Sequence, residues 1–73
     1  MTNKFEVVIF NRGARRLVGE GRHHRQLDDS WAENQHVEIR AADAEDARRR
    51  IERRYPTNQG YEVVEVTSIQ EYG

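Results

Sequence analysis

Residues 4–10 read Lys-Phe-Glu-Val-Val-Ile-Phe, a short β-branched and aromatic run closed by Asn11 and Gly13. This composition predicts a strand. Apolar residues occupy both of its faces, Phe5, Val7 and Ile9 on one and Val8 and Phe10 on the other, as expected of a strand in the centre of its sheet. Residues 36–41 alternate instead. Val37, Ile39 and Ala41 share one face, Glu38 and Arg40 the other, which predicts a half-buried strand. Ala44, Ala47, Ile51 and Tyr55 recur at helical spacing and predict an apolar stripe on a helix over 44–55. Asp43 stands at its N-cap, and Glu45 and Asp46 favour its positive end. Pro56 stops it by moving Tyr55 out of helical dihedrals. Gly60 then opens a third strand over 61–69.

Residues 11–35 have the weakest pattern. Ala14, Leu17 and Val18 share helical spacing, so a short helix over 12–19 is expected, capped by Asn11 and ended by Gly19 or Gly21. A hairpin turning at Arg12-Gly13 is the alternative reading. A loop over 20–35 follows. A long aperiodic segment in a small domain often carries function.

These elements predict one α+β domain over 1–73, with a small, mainly antiparallel three-stranded sheet and one main helix on one face (ββαβ, with an extra short helix after the first strand). The first strand is expected in the middle, antiparallel to both others. The second face of the sheet then needs a cover, and the 11–35 segment, with Leu27 and Trp31 as packing residues, is the expected one. A partner subunit is the alternative, which keeps a homo-oligomer open as a reading.

With 73 residues and no cysteine, the chain has neither disulfides nor thiolate zinc sites, and a domain this small gains only marginal stability from its core. No apolar run approaches the roughly 20 residues that span a bilayer, and the first residues lack a secretory pattern. No membrane partner is expected, and a cytoplasmic location is. The net charge of -1, with 34% charged residues, argues against a general nucleic-acid binder. The balance conceals an asymmetry, because the basic residues Arg12, Arg15, Arg16, Arg22 and Arg25 gather in the first third.

Four constellations bear on chemistry. His23, His24, Asp28, Asp29 and His36 are metal-ligand types, but their spacing fits no metal motif, and they read as polar loop residues. Arg48, Arg49, Arg50, Arg53 and Arg54 crowd the end of the main helix. Arg49, Arg50 and Arg53 face away from its stripe, and Arg48 and Arg54 flank it. Dipole complementation and the four-apart pairs Glu45/Arg49 and Asp46/Arg50 account for most of this set. A surface that recognises anions is the functional alternative. The basic stretch from Arg12 to Arg25 offers a nucleic-acid reading, yet holds no aromatic residue for stacking. Ser30 lies near Asp28 and His36, but without a glycine elbow or oxyanion pattern it reads as a turn cap before Trp31. No catalytic residue, cofactor or metal is expected.

The segments Phe5-Glu6-Val7-Val8-Ile9-Phe10-Asn11, His23-His24-Arg25 with Asp28-Asp29 and Trp31, Val37-Glu38-Ile39-Arg40-Ala41 and Ile51-Glu52-Arg53-Arg54-Tyr55-Pro56 together resemble small single-domain proteins encoded by marine bacteriophages. The resemblance spans most of the chain and brings no family activity with it. It implies a small protein that binds a host protein. The expected function is therefore a non-enzymatic protein-binding module, with nucleic-acid binding as the alternative. Its expected contact residues are Arg22, His23, His24, Arg25, Asp28, Asp29 and Trp31 of the loop and Arg49, Arg50 and Arg53 of the helix.

Overall fold

The computed structural model describes residues 2–69. Its order is β1 (Asn3–Asn11), α1 (Arg12–Gly19), a 3-10 turn (Asp29–Ala32), β2 (Gln35–Ala41), α2 (Ala44–Arg54), a second 3-10 turn (Thr57–Gln59) and β3 (Tyr61–Ile69). The sheet order is β2-β1-β3, and both pairings are antiparallel. The doubly apolar strand is therefore central, flanked on either side.

β1 and β2 pair one to one from Asn3↔Ala41 to Ile9↔Gln35. Against β3 the register slips between Val8 and Ile9, whose partners are Glu65 and Val63. Val64 is left over as a bulge, 53% exposed, which bends that edge of the sheet. One face of β1 presents Phe5, Val7 and Ile9 to α2. Phe5 packs with Ala41 and Ala47, and Val7 and Ile9 with Ile51. Ala47 and Ile51 are fully buried and Tyr55 half-buried, whereas Ala44 is exposed. The stripe thus begins one turn later than its spacing predicts.

Asp43 caps α2 by accepting from the Asp46 N–H at 2.8 Å, and the Asp46 carboxylate accepts from the Ala42 N–H at 2.9 Å. This reciprocal arrangement resembles a capping box reaching one residue further back. Of the expected four-apart pairs, Asp46/Arg50 forms at 2.9 Å. Arg49 also turns to Asp46, at 3.9 Å, and a pair not expected, Arg48 with Glu52, closes at 3.1 Å.

Of the 11–35 segment, Arg15 reaches the second face of the sheet, over Phe10, but Trp31, expected there, does not. Trp31 packs on the α2 side, against the Val7, Ile9 and Ile51 cluster. It meets Tyr55 and Tyr61 with ring centroids 5.4 and 5.3 Å away, and those two rings lie 5.2 Å apart. Tilted and edge-on contacts of this kind suit the ring quadrupoles. The open face instead carries cross-strand charge. Glu6 and Glu38 stand directly opposite each other, and their repulsion is relieved diagonally by Glu6–His36 at 2.8 Å and Lys4–Glu38 at 3.0 Å. Phe10, on the same face, lies under the Arg15 guanidinium, 3.5 Å from the ring centroid.

Candidate functional site

The 22–31 loop begins where α1 ends. Arg22 N–H donates to the Leu17 carbonyl at 2.7 Å and Gly21 N–H to the Val18 carbonyl at 3.0 Å. With Gly21 at φ +73, this is a Schellman ending. It fixes the direction in which Arg22 leaves the helix. Of the two glycines named as stops, Gly21 is the one whose backbone turns left-handed.

The loop then bonds to itself. The Nδ1 of His24 accepts from the backbone N–H groups of Gln26 and Leu27, at 3.0 and 3.1 Å, which places the ring hydrogen on Nε2. The Nδ1 of His23 lies 2.9 Å from an Asp29 carboxylate oxygen. That hydrogen bond, and then the Asp29 charge, raise the His23 pKa above its ordinary value. The Ser30 hydroxyl donates to Asp28 at 3.1 Å, and the Trp31 N–H donates to the Asp28 carbonyl at 3.0 Å. Ser30 is therefore not the cap expected before Trp31; Asp28 begins that turn. At the far end Arg15 donates to the Ala32 carbonyl at 2.8 Å and to the Asn34 side chain at 3.0 Å.

Most of the loop's polar residues thus have structural partners, and Trp31 belongs to the core. Arg22 and Arg25 are exposed, and their side chains have no hydrogen bond or ion pair among the described residues. Together with Leu17, His23, His24 and Gln26 they line a shallow cavity of about 390 Å³. A neighbouring cavity of about 310 Å³ joins His24, Gln26 and Leu27 to Gln59 and Tyr61.

The helix arginines lie elsewhere. Arg49, Arg50 and Arg53 are exposed, and Arg50 and Arg54 line a separate groove of about 350 Å³ with Glu38, Ile39 and Arg40 of β2. The expected contact surface therefore divides into a loop surface and a helix–strand surface. Asp46, which holds Arg49 and Arg50, has its pKa lowered, first by the Ala42 N–H and then by Arg50.

His36 is paired with Glu6 on the open sheet face, apart from the His23–Asp29 pair. Among the described residues no three His, Asp or Glu side chains converge as a metal would need. The same placement separates His36 from Ser30, whose hydroxyl is turned to Asp28. Within the basic stretch, Arg12 is drawn to the Thr57 carbonyl at 3.4 Å and to Glu62 at 4.0 Å, and Arg15 is bound internally. Among the described residues no helix is long and apolar enough to cross a membrane.

Sequence reasoning placed the second strand at a sheet edge but missed the groove between β2 and α2, because which α2 side chains stand beside that edge is set by tertiary packing and not by local pattern. No family model, curated protein or solved structure matches the chain.

Proposed function

We propose that the chain is a non-enzymatic protein-binding module, of the kind a bacteriophage directs at a host protein, and that the 22–31 loop is its contact element. One observation carries this reading: the loop is tied down by its own hydrogen bonds while Arg22 and Arg25 are left exposed without partners. A loop held in one conformation loses little entropy on binding, and arginine is enriched among residues that dominate protein interfaces. The two guanidinium groups suit an acidic patch on the partner. Protein is favoured over nucleic acid because the nearby aromatic faces are taken. Arg15 covers Phe10, and Trp31 is packed against Tyr55 and Tyr61, so neither ring offers a base a stacking platform.

The test is affinity capture from nuclease-treated lysates of several bacterial hosts, comparing the wild type with Arg22→Ala/Arg25→Ala. The expected result is a stoichiometric protein partner held by the wild type and lost by the variant at unchanged thermal midpoint. Equal recovery by both, or no partner from any host, contradicts the reading.

A further inference from the structure

We infer that the groove between β2 and α2 receives an extended acidic segment of a partner protein, which adds to the sheet as a fourth strand beside β2. This rests on the reading of the chain as a protein-binding module and adds a second surface with its own recognition chemistry. β2 lies at the edge of the sheet. An antiparallel strand turns the N–H and C=O groups of alternate residues to each side, so those facing away from β1 have no strand partner among the described residues. Among the described residues no backbone hydrogen bond from a loop or helix reaches β2 residues 36–41. The strand is regular along all seven residues, a template of roughly 24 Å. The other edge, β3, is interrupted by its bulge at Val64, and bulges blunt an edge against strand addition.

The walls of the groove define what would lie in it. Ile39 supplies an apolar floor, and Arg54 together with Arg50, the latter shared with Asp46 at 2.9 Å, makes the α2 wall positive opposite the single carboxylate of Glu38. Main-chain bonds along the edge would hold any extended chain, and the lining would select one with apolar and acidic residues in alternation. A second copy of this chain fits less well. Two β2 strands crossing at Ile39 would match Glu38 with Arg40, but would also bring Arg50 and Arg54 of both helices into one groove, where like charges repel.

The probe is a blocked octapeptide of alternating glutamate and valine, titrated into the amide-labelled full chain and followed by NMR. Expected are saturable shifts and slowed exchange at the amides of residues 36–41. Affinity should weaken by about fivefold or more for the lysine–valine peptide and for Arg50→Gln/Arg54→Gln, and binding should vanish when proline interrupts the peptide. Arg22→Ala/Arg25→Ala should bind the peptide unchanged. Shifts at β3, equal binding of both peptides, no binding at millimolar peptide, or β2 amides already protected by a dimer would overturn the inference. If the peptide fails while the loop variant still loses its captured partner, the groove is refuted and the binding module stands. If the peptide binds while loop variant and wild type capture alike, the loop reading fails and the groove stands.

Discussion

The side chain of Asn11 occupies the space beside Gly60 that a β carbon there would need: a methyl at Gly60 would stand 3.0 Å from the Asn11 side-chain oxygen. Asn11 is fully buried. Its oxygen accepts from the Ala14 N–H at 3.1 Å, and its amide donates to the Gln59 carbonyl at 3.0 Å. The Arg12 N–H donates to the Gly60 carbonyl at 2.7 Å. One residue thus ends the central strand, caps α1 and fastens the start of β3, and it thereby sets where the 22–31 loop departs.

Asn11→Ala removes a helix cap, leaving the buried Ala14 N–H without its acceptor and the part-buried Gln59 carbonyl without that donor, so a loss of about 2 to 3 kcal/mol is expected. Gly60→Ala adds a close contact at φ +95 and should cost about 1 to 3 kcal/mol. In the double variant the contact is gone, so the combined loss in urea unfolding should fall short of the sum. Strict additivity would show that the two residues do not meet.

Trp31, the sole tryptophan, should report on loop docking by fluorescence. Trp31→Ala should cost roughly 2 to 3 kcal/mol, less than a fully enclosed ring would. A Trp31/Tyr61 double-variant cycle should give a coupling of about 0.5 to 1.5 kcal/mol. Zero coupling would contradict the ring contact.

Among the described residues, His23 and Asp46 act in opposite pH directions. His23 is raised by Asp29, so its contribution is complete below the unfolded histidine value near pH 6.5 and fades as pH rises through the folded one. Asp29→Asn should move the His23 NMR titration midpoint downward, and an unmoved midpoint would refute the pair.

Asp46 is lowered by the Ala42 N–H and Arg50. Its contribution is present above the unfolded aspartate value, near 3.9, and disappears as pH falls through the folded value. Asp46→Asn should therefore be less stable than the wild type at neutral pH, and the gap in urea midpoint should close on acidification. A gap that stays constant with pH would contradict the charged role.

Much of the fold was legible because its determinants are local. The double-faced run at Phe5–Val8–Phe10 marks a central strand, and Asp43 and Pro56 bracket α2 by capping and steric rules that act within a turn. What could not be read was long-range. Trp31 was expected on the second sheet face because its own neighbourhood shows no period, whereas its place is set by Tyr55 and Tyr61, 24 and 30 residues later. His24 looked like a candidate ligand, and only the fold shows its Nδ1 filled by two backbone amides. Arg22 and Arg25 remain exposed in the fold, whereas the same signal also selected Asp29 and Asp28, whose carboxylates bond inside the loop.

Backbone relaxation of residues 22–31 tests the preorganised loop most directly. Order parameters near those of the strands, about 0.85, are predicted throughout, with slowed exchange at the Gln26 and Leu27 amides. Values below about 0.6 with unprotected amides would contradict a loop built in advance to present Arg22 and Arg25.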